Sequence, residues 1–124
     1  MASVAARRVL RDRVRANRAD STKRRAVAHA ARRVRTGARS LVTHIMATGA
    51  DRQTVEGVAD ALRTVARKKG VKGRRARIRR SFDGARNVVK TVYRYTRAQV
   101  AQIADAYKPR KAEYKVVRAA LIAA

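Results

Sequence analysis

Net charge restricts this chain more than any other property of its sequence. Thirty-three Lys and Arg stand against 8 Asp and Glu over 124 residues, a formal charge of +25 at pH 7. Self-repulsion on that scale opposes every compact state until an anion neutralises it. The cations are also unevenly chosen, with 25 Arg and 8 Lys. Guanidinium is planar, weakly hydrated and able to give two parallel hydrogen bonds to phosphate oxygens, whereas ammonium is a hydrated point charge. A chain that needed charge only for solubility would have no use for this bias. Basic charge of this kind is the electrostatic footprint of a nucleic-acid binder.

Disorder throughout is the competing expectation for such charge. A hydrophobic share of 46% argues against it. Much of that share is Ala, so the core is expected to be thin and to lean on partners for part of its stability. The absence of Cys excludes disulfides, thiolate metal sites and cysteine nucleophiles and leaves the redox compartment open. No apolar run approaches the roughly 18 residues that span a bilayer, so no membrane insertion is expected. Met1 to Arg15 lacks the uninterrupted apolar centre of a signal peptide, and Asp12 argues against a transit peptide. The expectation is a protein that acts inside a cell or a particle.

Ala, Arg, Val, Lys and Leu dominate, and the only Pro is Pro109. The expected fold class is all-α: an N-terminal arginine-rich helical arm or hairpin over 1–48, then a small antiparallel helix bundle for subunit packing over 49–124. In the first part a helix is predicted from Ser3 to Arg18. Ala19-Asp20-Ser21-Thr22 offers a break with Asp20 or Ser21 as N-cap, and a second helix runs to Thr48 with Gly37 as a bend. Val27, Ala30, Val34, Ala38, Leu41, Val42 and Ile45 form the apolar stripe of that second helix. In the second part Asp51 caps a helix carrying Val55, Val58, Leu62 and Val65. Lys69-Gly70-Val71-Lys72-Gly73 connects it to a helix predicted over Arg74 to Tyr95, on the stripe Ile78, Phe82, Ala85, Val89 and Val92. Thr96 caps a further helix ended by Lys108-Pro109, and a last one presents Tyr114, Val117 and Leu121.

Two basic series are the candidate nucleic-acid-binding residues. The first is Arg7, Arg8, Arg11, Arg13, Arg15, Arg18, Lys23, Arg24, Arg25, Arg32, Arg33, Arg35 and Arg39. Its early members spread around their helix, which suits phosphates met on several sides better than one-sided contact with a duplex. The second series runs from Arg67 without an acid among its members: Lys68, Lys69, Lys72, Arg74, Arg75, Arg77, Arg79 and Arg80. Gly70 and Gly73 would let that backbone approach phosphate and offer its N–H groups.

The remaining residue types narrow the function. Phe82, Tyr107 and Tyr114 fall on apolar stripes and read as core, while Tyr93 and Tyr95 suit subunit contacts. Few exposed aromatics favour a duplex over single strands. His29 and His44 are too isolated for a metal site and read as structural. Asp51, Glu56, Asp60, Asp83, Asp105 and Glu113 are explained by capping and ion pairing. No Ser/His/Asp arrangement, phosphate loop or carboxylate pair is present, so no catalytic residues, metal or cofactors are expected and the chain does not read as an enzyme. A helix-turn-helix within 51–95 would need Asn, Gln, Ser or Thr at the start of its recognition helix. Arg74-Arg75-Ala76-Arg77 stands there instead.

In overall plan the chain resembles the major capsid proteins of filamentous and rod-shaped archaeal DNA viruses. The likeness is that of a small cysteine-free helical chain with a basic N-terminal segment, Arg7 to Arg39, followed by a bundle from Asp51 to Ala124. That resemblance implies paired subunits, often two paralogous proteins, wrapping linear double-stranded DNA in an A-like form with their N-terminal helices. It implies outer bundles that build the shell, and localisation in a virion assembled inside the host cell. The second basic run is more than a purely outer bundle needs. The expected function is therefore packaging of double-stranded DNA into a helical nucleoprotein filament. Structured RNA, as in a ribosomal protein, and the duplex of a cell, as in a chromatin-like protein, are the alternatives.

Overall fold

A computed structural model describes residues 3–82 and 85–124, and over 80–82 and 85–88 the backbone. Five helices and one hairpin follow in chain order: α1 (Val4–Arg35), α2 (Leu41–Met46), α3 (Arg52–Lys69), β1 (Arg74–Phe82), β2 (Ala85–Arg94), α4 (Arg97–Ala106) and α5 (Ala112–Ala123). The chain is mostly helical, 69%, with one small two-stranded antiparallel sheet, so the all-α expectation holds only in part.

The predicted helix over Arg74 to Tyr95 is the antiparallel pair β1 and β2, in register from Arg74↔Arg94 through Ala76↔Val92 to Arg79↔Val89. Two physical reasons favour the strands. A helix would stack Arg75 on Arg79 and Arg74 on Arg77, and like charges at those spacings repel. β2 also carries Val88, Val89, Thr91, Val92 and Tyr93, the β-branched and aromatic types that fit a pleated surface.

The break expected at Ala19 to Thr22 does not occur, and α1 runs through it for 32 residues. Asp20 serves as an exposed i,i+4 partner of Arg24 at 3.2 Å, and the Thr22 hydroxyl donates to the Arg18 carbonyl at 2.9 Å. Potential capping side chains are thus satisfied within the helix. The cap lies earlier, where Ser3 Oγ accepts from Ala6 N–H at 3.1 Å. The helix ends at Thr36, just before Gly37, and Arg39 turns back to close it. Arg39 Nε donates to the Arg33 carbonyl at 3.0 Å, taking up one of the carbonyls a helix end leaves unpaired.

The core gathers α2, α3, α4 and α5. Leu41, Ile45, Val58, Leu62, Val100, Ile103, Val117 and Leu121 are buried together, and Ala30 and Val34 of α1 are buried beside them. The starts of α3 and α4 are marked as the sequence suggests: Asp51 accepts from Thr54 N–H at 2.9 Å, and Thr96 with Gln99 forms a capping box. The α4 C-terminus is capped from α5, where Arg118 Nε donates to the carbonyls of Ala104 and Tyr107 at 3.0 and 2.6 Å.

The hairpin is fastened to this core at its foot. Gly70, at φ 68°, ends α3 in the left-handed region. Gly70 N–H and Val71 N–H donate to the carbonyls of Arg67 and Ala66, which forms a Schellman turn. Gly73 is also required by packing. A Cβ there would meet the Arg94 carbonyl oxygen at 2.9 Å and the Tyr95 ring at 2.9 Å. Arg39 and Tyr95 exchange backbone hydrogen bonds of 2.9 and 2.7 Å, which ties β2's end to the turn between α1 and α2. Gly73→Ala is therefore expected to lower stability by about 1–3 kcal/mol, the usual cost of overpacking. Gly37→Ala, which meets open space, should be neutral or slightly stabilising. Thermal melts followed by circular dichroism compare the two.

Candidate nucleic-acid interface

The candidate residues fall on two surfaces. α1 carries the first series. Every residue from Val4 to Asp20 is exposed, including Val4, Val9, Leu10 and Val14. That stretch rises about 26 Å at 1.5 Å per residue. Arg7, Arg8, Arg11, Arg13, Arg15 and Arg18 lie along it. Lys23, Arg24 and Arg25 continue it as exposed residues. Farther on the helix turns protein-facing. Arg33 is half-buried, Arg32 and Arg35 stand in the last turn where they complement the helix dipole, and Arg39 is engaged in closing the helix. The C-terminal members of the first series thus have structural work at the end of the helix.

The second surface is the ribbon. Strand side chains alternate between faces, and burial shows the alternation: Ala76, Ile78, Val92 and Arg94 are half-buried, while Arg75, Arg77 and Arg79 are exposed. Across the ladder the exposed arginines meet Tyr93, Thr91 and Val89 respectively. Successive arginines on one face of a strand stand about 6.8 Å apart, twice the rise per residue. None of the three has an acidic partner among the described residues. Arg67, Lys68, Lys69, Lys72 and Arg74 extend this surface as exposed cations below the ladder. The side chains of Arg80 and Phe82, and Asp83, lie outside the described residues.

Between the ribbon and α1 lies a groove of about 650 Å³, walled by Ala26, His29, Ala30 and Arg33 of α1, by α2, by Ile78 of β1 and by β2 from Lys90 to Arg94. Arg75, Arg77 and Arg79 do not line that groove, although their cross-strand partners Thr91 and Tyr93 do. The two basic series therefore do not converge on one concave surface.

Aromatics divide as their positions dictate. Tyr95 and Tyr107 are buried, Tyr114 packs partly buried on the core, and Tyr93 is 53% exposed beside Arg75. Burial raises the phenols of Tyr95 and Tyr107 above their usual range. Sequence reasoning missed the ladder's geometry. Its available signal was Asp83-Gly84, the dipeptide favoured in two-residue hairpin turns, between Arg75/Arg77/Arg79 and Val89/Thr91/Tyr93 at spacing two. Among the described residues no cluster of His, Cys, Asp or Glu could hold a metal ion, and no helix is long and apolar enough to cross a membrane.

His44, only 3% exposed, braces the ribbon's foot: its Nε2–H donates to the Tyr95 carbonyl at 2.7 Å. Burial holds the imidazole below its usual 6.5, outweighing the hydrogen bonds to backbone carbonyls that act the other way. A depressed folded value means that the unfolded chain takes up the proton first as pH falls. Stability is then whole above about pH 6.5 and is lost progressively below it. Melting temperature is expected to drop between pH 7.5 and 5.5 at fixed ionic strength. His44→Gln, which keeps an N–H donor and cannot titrate, should lower stability overall and flatten that slope. Compared with known protein families, characterised proteins and solved structures, the chain matches none.

Proposed function

We propose that this protein binds and packages double-stranded DNA as a structural, non-catalytic coat, with α1 as an arginine-rich arm laid along phosphates. One observation carries the reading. From Val4 to Asp20 a helix with arginines on every side is exposed throughout, although packing of an apolar face is what ordinarily stabilises helices in proteins. No acid stands in its first turn, so its own dipole opposes the cations there. A polyanion supplies both missing terms: it neutralises the arginines and covers the exposed Val and Leu between them.

Phosphate contact releases condensed counterions, which makes affinity fall linearly in log salt with a slope of about −0.9 per phosphate neutralised on B-DNA. Replacing Arg8, Arg11 and Arg15 together by Gln, all exposed, should make the slope shallower by about 2 to 3. Fluorescence anisotropy across a salt series measures it. An unchanged slope would remove α1 from the interface.

Copies of the chain would coat linear duplex through protein–protein contacts between their cores, with the regular filament of a viral capsid as the assembled form. Electron microscopy of protein mixed with long linear duplex at low salt is the direct test. Filaments of fixed diameter are expected. Bare or irregularly clumped DNA, together with tighter binding to structured RNA, would assign the protein to RNA instead.

A further inference from the structure

We propose that the hairpin enters the major groove of B-form DNA with its Arg75–Arg77–Arg79 face against the base edges. The inference rests on the duplex-DNA reading above and adds to it the groove and the contact chemistry.

Dimensions select the groove. Paired strands lie about 4.8 Å apart, and backbone thickness on either side brings a two-stranded ribbon near 10 Å. The major groove of B-DNA, about 12 Å wide, admits a two-stranded ribbon; the minor groove is about 6 Å wide. A-form RNA offers only a deep, narrow major groove.

Chemistry agrees. Guanine presents N7 and O6 as adjacent acceptors in the major groove, the pair that one guanidinium fits with two hydrogen bonds. Arginines about 6.8 Å apart along β1 match two steps of the duplex at 3.4 Å per phosphate on each strand. On the facing strand Thr91 brings a hydroxyl and Val89 brings methyl groups that suit the thymine methyl. All three arginines are exposed and lack acidic partners among the described residues, so no ion pair with a described residue must break first. The exposed Lys68, Lys69 and Lys72, at the foot, fall where a ribbon leaving the groove passes the phosphates.

Chemical probing of the full chain on a mixed-sequence duplex tests this, with gel shift run on the same samples. Dimethyl sulfate methylates guanine N7 in the major groove and adenine N3 in the minor groove. The expected result is several-fold protection of guanine N7 with adenine N3 unchanged. That protection should be lost in the triple variant Arg75→Gln/Arg77→Gln/Arg79→Gln, whose exposed side chains leave the circular dichroism spectrum and melting temperature unaltered. Duplex with 7-deazaguanine, which lacks the N7 acceptor, should bind the native chain on the order of tenfold more weakly and bind the triple variant no more weakly than ordinary duplex.

Adenine N3 protection without N7 protection would overturn the proposal in favour of the minor groove. Guanine N7 protection that persists in the triple variant would overturn it by placing α1 in the groove. A shifted complex with neither position protected would leave the ladder on phosphates alone and also overturn it. Absence of any shifted complex would sink the duplex-DNA reading itself, which the gel separates from the other outcomes.

Discussion

Repulsion among 33 cations decides where each element of this protein can lie. Only 8 acids oppose them. The ion pairs Arg24–Asp20, Arg52–Glu56 and Arg63–Asp60 are exposed contacts within single helices. Such pairs contribute a few tenths of a kcal/mol each, far too little to offset the field of the rest. The core answers by excluding charge: His44 and Thr54 are its only buried polar residues among those described, and His44 is held toward neutrality. Cations are densest on the first turns of α1, the end of α3 and the outer face of the hairpin, and those on the core helices stay on their outer surfaces or at helix ends.

The ribbon is nonetheless held firmly. Tyr95 joins three elements at one residue. Its backbone pairs with Arg39, its carbonyl accepts from His44, and its ring lies where a side chain at Gly73 would be. The first two comprise three hydrogen bonds in a partly dry setting, where a lost partner costs more than the bond contributes. The direction of the arginine ladder is thus set by α2 and the α1–α2 turn rather than by the strands alone.

Much of the core is legible in the amino-acid sequence because its signals are local. Asp51, Thr96 and Val55/Val58/Leu62 announce α3 and α4 through capping and a stripe at helical period, and both helices start where these residues say. The α5 stripe of Val117 and Leu121 is buried as its spacing requires. The middle of the chain defeats the same reasoning. Ile78, Phe82, Ala85, Val89 and Val92 fit a helical period, and the period-two alternation beside them is carried by arginines, which register as charge before they register as a face. Asp20 to Thr22 mislead in the opposite direction: these residues cap helices when free to do so, yet here they find partners one turn away and let α1 continue. Local chemistry permits either outcome. The choice comes from neighbours in space, which a single sequence does not display.

The two basic surfaces suit different tasks. A long exposed helix with cations on every side offers many phosphate contacts, which would supply affinity and salt dependence but no sequence information. The ribbon offers three guanidinium groups at fixed spacing on a foot braced by Tyr95, which supplies orientation. Thr91 and Tyr93, the cross-strand partners of Arg77 and Arg75, also line the groove against α1, so ladder and groove share β2 as a common wall.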